Sequence, residues 1–268
     1  MNIGRYSELY SKELRFKNYS ENTIKNYVFQ LESFLKYFET TATKPSEISE
    51  VKIKEWLMLS NTLNSRKHKM CSVKLFYKFV GKQPLKFKNI EYPRSEKNLP
   101  RVIDKSYILD CISQIKNLKH KSIITLAFST AIRVSEVVNL KLSDVDYERK
   151  IIFIRNSKGN KDRITPLSDN VSDLLKNYIE EYKPKEYMFN GQSDLKYSSR
   201  SCNEIVKKYL KDDTAHFHLL RHASATAMVE NGTDINLIQK ILGHANVKTS
   251  MVYIHVSNNL LSKIQLPC

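Results

Sequence analysis

Apolar residues recur at helical spacing through most of the chain. In NYSENTIKNYVFQLESFLKYF, Ile24, Tyr27, Val28, Leu31, Phe34, Leu35 and Phe38 fall three or four apart behind Ser20, a good N-cap, and residues 5–39 read as helix. A shorter helix is predicted around Trp56, and a third over 63–81, closed by Gly81. The period then fails. Residues 82–100 carry three prolines and many charges, the pattern of an interdomain linker. Residues 105–140 again read as helical with an apolar face. Between 147 and 168 the pattern changes to strand: Ile151–Arg155 and Arg163–Leu167 flank a Gly-bearing turn, which predicts a β-hairpin. Helix follows over 169–182, over 214–232 and over 234–244, the last capped by Gly243. A short amphipathic tail helix is expected over 256–268. The expected architecture is mainly α (α+β). A helical domain covers 1–95, and a mixed domain of helices with a small antiparallel sheet covers 96–268.

Composition narrows the class. Hydrophobic residues make up 41% and charged residues 27%, the balance of a globular chain able to bury a core. The net charge of +16 asks for a polyanionic partner, with nucleic acid the first candidate. The excess is spread out: 19 Lys/Arg face 10 Asp/Glu in 1–98, and 25 face 18 in 99–268. A basic tail on a neutral enzyme would not look like this. The third helix presents Arg66, Lys67, Lys69, Lys74 and Lys78, read as DNA-phosphate contacts. Four scattered cysteines with no C-x-x-C pair argue against a zinc site or a disulfide framework. With no signal-peptide pattern and no apolar run of membrane length, a soluble protein of a reducing interior is expected.

Four separated segments hold the chemically unusual residues: AIRVSEVVNLKLSDV (131–145), NSKGNKDR (156–163), HLLRH (218–222) and LGHANVKTSMVYIH (242–255). Taken singly each is weak. Together they supply phosphoryl transfer without a metal. Arg133 and Arg221 offer rigid donor forks to a phosphodiester gathering negative charge. His218, three residues before Arg221, can bind an oxygen or take a proton. Tyr253 carries a phenol far easier to ionise than a serine hydroxyl. Lys158, at the hairpin tip, suits protonation of a leaving oxygen. No carboxylate cluster suggests a two-metal site.

These residues, in this order and spacing, resemble the tyrosine recombinase (phage integrase) family over essentially the whole chain, in the manner of Xer-type resolvases and simple mobile-element integrases. The matching boxes are Arg133-Val-Ser135-Glu136 followed by Leu140, Lys158 in the hairpin, His218-Leu-Leu220-Arg221-His222, Leu242-Gly243-His244, and Tyr253 nine residues later with Thr249 four before it. One departure is visible: Ala131 stands where the family commonly has Gly, in Thr130-Ala131-Ile132-Arg133.

The resemblance implies a helical core-binding domain followed by a catalytic domain. It implies that Tyr253 attacks the scissile phosphate to form a 3′-phosphotyrosine while Arg133 and Arg221 clamp it. His218 would help deprotonate Tyr253, Lys158 would protonate the 5′-oxygen, His244 would hydrogen-bond the phosphate, and Glu136 would orient the site. It implies a specific double-stranded DNA site, strand exchange through a Holliday junction in a homotetramer, no cofactor, no metal, no membrane, and action in a prokaryotic cytoplasm. Leu260, Leu261, Ile264 and Leu266 form a tail stripe expected to dock on a neighbouring protomer. Because the chain starts at the first core-binding helix, no arm-binding domain is expected. His222, set about 100° from His218 around the helix, reads as structural, His216 as a surface residue and His255 as packing. Two alternatives stay open at this point: a type IB topoisomerase-like enzyme that relaxes DNA, and a non-catalytic DNA-binding protein.

Overall fold

In the computed structural model, residues 1–94, 101–157, 161–192, 195–244 and 246–256 are described. The chain divides into two compact units, Met1–Lys97 and Asn98–Cys268. Among the described residues no helix is long and apolar enough to cross a membrane.

Among the described residues the first unit holds four α-helices. The single run expected over 5–39 is two: α1 (Ile3–Phe16) and α2 (Glu21–Tyr37). Asn18 breaks it by taking the left-handed conformation (φ 59°), which Asn tolerates better than most residues. Ser20 restarts the helix, its Oγ accepting the Thr23 N–H at 3.3 Å. Helices α3 (Glu50–Met58) and α4 (Leu63–Phe79) start on Ser49 and Thr62 in the same way. The left-handed residue after α4 is Lys82, not Gly81.

The core of this unit is aromatic. Phe34 packs edge-on against Phe38, Trp56 and Tyr77 at centroid distances of 5.2, 5.0 and 6.2 Å. The buried Tyr10 and Tyr77 hydroxyls donate to the carbonyls of Ser72 (2.8 Å) and Pro45 (2.6 Å), so neither phenol is left unsatisfied. The segment read as linker is partly core: Pro84–Phe87 forms a 3-10 turn, and Phe87 and Ile90 are buried with this cluster. Of the expected DNA-contact residues, Arg66, Lys67, Lys69 and Lys74 are half-buried and Lys78 is exposed. The Lys69 and Lys74 ammoniums lie 4.8 and 5.2 Å from the Trp56 and Tyr92 ring centroids. Lys67, Lys74 and Lys78, spaced i, i+7 and i+11, share one face of α4.

In the second unit the stretch 105–140 is three helices: α5 (Lys105–Ser113), α6 (Leu118–Thr130) and α7 (Val134–Asn139). Asn117 caps α6, its Oδ1 accepting the His120 N–H at 2.9 Å. A three-stranded antiparallel sheet follows, in the order β1 (Val145–Asp146), β2 (Ile151–Ser157), β3 (Lys161–Pro166). The hairpin is as expected, with Phe153 opposite Ile164 and a register shift between Ile154 and Ser157. β1 is an addition, too short to show a period. Helices α8 (Asp169–Tyr182), α9 (Ser199–Leu210), α10 (Phe217–Glu230), α11 (Ile235–Leu242) and α12 (Val247–Val256) follow. α9 and α12 have no counterpart in the sequence reading, and the expected tail helix lies outside the described residues. The main core joins Ile123, Ile124 and Ala127 of α6, Leu175 and Tyr178 of α8, and Leu219, Leu220 and Ala223 of α10. A smaller cluster of Ala131, Ala225, Val229, Ile238, Leu242 and Tyr253 lies where α10, α11 and α12 meet.

Candidate active site

Arg221 is 1% exposed, the largest fully buried side chain among the described residues. Its Nη1 donates to the Ala131 carbonyl at 2.6 Å and its Nη2 to the Leu242 carbonyl at 2.5 Å. Both acceptors sit at helix C-termini, of α6 and α11, where carbonyls lack intrahelical partners and the dipole is negative. Burial and the nearby Arg133 lower its pKa to about 10, which still leaves it charged at neutral pH. A guanidinium has five N–H donors, and Nε–H has no partner here, so donors remain for an anion.

Arg133 is the N-cap residue of α7. Glu136, three residues on, reaches back to accept its backbone N–H at 2.7 Å and its Nη1 at 2.8 Å. The same carboxylate takes a bidentate pair from Arg163 of β3, at 2.6 and 2.7 Å. Arg163 Nε then donates to the Ile241 carbonyl at 2.7 Å, so one side chain ties the α7 box, the hairpin and the end of α11 together. Burial alone would push the Glu136 carboxyl up, but the Arg163 and Arg133 contacts outweigh it and hold it at about 2. Arg133, Arg163 and Arg221 surround this carboxylate, which leaves a surplus of positive charge.

Gly243 ends α11 in the left-handed conformation (φ 61°), and a Cβ there would come within 3.0 Å of Arg163 Cδ. Glycine is favoured on both counts. His244 follows, its Nδ1 2.8 Å from the Oγ of buried Ser250. Burial, Arg221 and Arg133 lower its pKa to about 4. Thr249, matched by the family pattern, is exposed, and it is the neighbouring Ser250 that meets the histidine.

Tyr253 is 3% exposed, its ring stacked near His244 at 6.4 Å and 12°. Burial raises its pKa, opposed by Arg221 and Arg133. Its hydroxyl lies 3.0 Å from Nδ1 of His222. His218 instead packs edge-on against the His222 ring at 4.9 Å. Although His218 is exposed, crowding by the protein and the charges of His222, Arg221 and Arg133 lower its pKa to about 4. The expected offset of His222 by about 100° from His218 is therefore corrected. Four residues on a helix are one turn plus about 40°, so His218 and His222 share a face. His216 is exposed, as expected.

The structure thus brings together Arg133, Glu136, His218, Arg221, His244 and Tyr253. Lys158 lies outside the described residues, as does the side chain of His255. Two residues given no chemical role by the sequence join the site: His222, and Arg163 at the end of the NSKGNKDR segment. The register of α10 depends on α9, whose Asn203 Oδ1 accepts the Phe217 N–H at 2.8 Å in place of a side-chain N-cap.

Residues 97–259 match the phage integrase family, and residues 8–86 match the phage integrase N-terminal SAM-like domain. The chain is 32% identical over 264 residues to tyrosine recombinase XerA of Pyrococcus horikoshii, covering 95% of this chain and 90% of that protein. It is 29% identical to tyrosine recombinase XerC of Staphylococcus epidermidis, covering 93% and 92%. The fold is shared with a crystal structure of XerH site-specific recombinase bound to palindromic difH substrate (TM-score 0.74, 22% identity, 96% and 83% covered). The chain belongs to the phage integrase family, the tyrosine recombinases. It is a site-specific DNA recombinase, and neither alternative raised by the sequence is favoured.

Proposed function

We propose that this recombinase cuts one DNA strand by attack of Tyr253 on the scissile phosphate, forming a 3′-phosphotyrosine and releasing a 5′-hydroxyl. A second strand's 5′-hydroxyl reverses the step, so the bond energy is conserved and no cofactor is consumed. The observation that carries this reading is the buried phenol of Tyr253, near enough to the Arg133 and Arg221 guanidiniums for both to act on it electrostatically. Fixed positive charge in a dry site stabilises a phosphorane-like transition state without reorganisation cost.

In this scheme Arg221 and Arg133 bind the non-bridging oxygens, and Glu136 with Arg163 holds Arg133 in place. A Ser250 hydroxyl donating to His244 Nδ1 leaves Nε2–H for the phosphate. His218 binds an oxygen of the same group. Lys158 protonates the leaving 5′-oxygen, a role resting on the family pattern alone. The partner is double-stranded DNA carrying a specific site, held by the first unit through the Lys67, Lys74 and Lys78 face of α4. Exchange passes through a Holliday junction in a homotetramer whose C-terminal tails dock on neighbouring protomers, in the cytoplasm of a prokaryotic cell.

The test incubates the full chain with nicked suicide duplexes of randomised core sequence and recovers covalent adducts. An adduct formed by the wild type and abolished in Tyr253→Phe is expected. No adduct, or one that survives the substitution, would reject the reading.

A further inference from the structure

The phenol that must lose a proton is buried, so that proton cannot pass straight to bulk water. Its hydrogen-bond partner is His222, Nδ1 to Oη 3.0 Å, a contact between α10 and α12 across 31 positions. The ring centroids lie 5.7 Å apart. The other histidines are differently engaged: His244 holds Ser250 through Nδ1, and His218 meets the His222 ring. Among the described residues, the groups facing His222 and the phenol are His218 and Arg221 on α10, His216 at its N-cap, Tyr253 itself from α12, His244 after α11, and Arg133 at the start of α7.

Resting on the function proposed above, we propose that His222 is the catalytic base of strand cleavage, accepting the Tyr253 proton at Nδ1. As the Oη–P bond forms, the O–H bond breaks and its proton passes to Nδ1. The P–O5′ bond breaks, and the 5′-oxygen leaves with a proton from the general acid. The next strand's 5′-hydroxyl reverses both transfers, so His222 returns to neutral in each cycle.

Physical chemistry supports the assignment. Burial and the charges of Arg221 and His216 hold the His222 pKa below the ordinary histidine value, which keeps a lone pair available at neutral pH. A free phenol is a much weaker acid than an imidazolium, so proton transfer ahead of attack would be unfavourable. Transfer coupled to P–O bond formation removes that obstacle, because an aryl phosphate ester oxygen retains no proton. Arg133 and Arg221 act in the same direction by favouring phenolate character.

The test measures single-turnover adduct formation from pH 5 to 9, on a duplex recovered by the covalent capture above, for wild type, His222→Asn and His218→Asn. Asn places an amide where Nδ1 stood, so the hydrogen bond can persist without a titrating base. The expected loss for His222→Asn is about a hundredfold at neutral pH. That loss should shrink as pH rises and hydroxide replaces the base, and the rising acid limb of the wild-type profile should vanish. His218→Asn should lose rate while keeping that limb. A His222→Asn deficit constant across pH, or a lost limb in His218→Asn instead, would overturn the assignment. If His222→Asn does not fold, ring-labelled ¹⁵N-histidine spectra decide without DNA. The His222 Nδ1 resonance should move between wild type and Tyr253→Phe, and an unmoved resonance would overturn the proposal. A wild type without adduct rejects the function itself, whereas a wild-type adduct matched by His222→Asn at every pH rejects only the base.

Discussion

The two units differ in what they bury. The first buries aromatic rings around Phe34 and satisfies its buried phenols with backbone carbonyls. The second also has an apolar core, but at its functional end it buries Arg221, Glu136 and most of Arg163, and depresses the pKa values of His218, His222 and His244. An apolar core is stabilised by removing surface from water and tolerates changes of pH. A buried ion network is costly to form, and breaking one partner leaves the others uncompensated. The first unit is therefore built for stability, while the second accepts strain and charge where chemistry requires them.

The sole tryptophan, Trp56, lies in the first unit, so its fluorescence reports that unit alone. The largest expected effect is from Phe34→Ala, which empties the centre of the aromatic cluster and should cost about 3–5 kcal/mol. The unfolding free energy monitored by Trp56 fluorescence should fall by that amount. A shift below about 1 kcal/mol would mean that Phe34 is not central. Glu136→Gln comes next. It removes the charge shared by Arg133 and Arg163 and should destabilise the second unit by about 2–3 kcal/mol, seen in circular dichroism. The Trp56 transition should not move.

Acid sharpens the comparison further. His218 and His244, lowered to about 4, are protonated in the unfolded chain at higher pH than in the folded one. Their contribution is complete above about pH 6.5 and is lost as pH falls toward 4. Glu136, held at about 2, adds stability above its ordinary value of 4.5 that is lost on going lower. Acid titration should thus unfold the second unit first. Loss of Trp56 fluorescence ahead of the second unit's ellipticity would contradict this.

The smallest effect is expected at Ala131. It adopts φ 52°, a conformation costing a non-glycine residue roughly 1–2 kcal/mol, which explains the glycine common in the family. Its methyl is fully buried, and glycine adds unfolded-state entropy, so relief and loss nearly cancel. Ala131→Gly should change stability by no more than about 1 kcal/mol, measured by thermal melting.

The elements legible in the sequence were those with a long apolar period or a glycine cap. Helix 169–182, the hairpin and the Gly243 cap follow directly from such patterns. The helix breaks at Asn18 and Ala131 were hidden because left-handed residues other than glycine leave no strong mark. α12 was missed because VKTSMVYIHV has no clear polar face. At the site, Arg133, Arg221, His244 and Tyr253 were legible through spacing. Arg163 was not, because a cation beside a hairpin turn ordinarily reads as solvated, and its partners Glu136 and Ile241 lie 27 and 78 positions away. His222 was recoverable: its i+4 relation to His218 sets both on one helix face.

One tyrosine of the fifteen, Tyr253, is assigned as the nucleophile. Proteolysis of the covalent adduct followed by mass spectrometry tests it most directly. Nucleotide attached through a phosphate to the peptide containing Tyr253 is expected, with a free 5′-hydroxyl on the released strand. Attachment to any other residue, or to a 5′-phosphate, would contradict it.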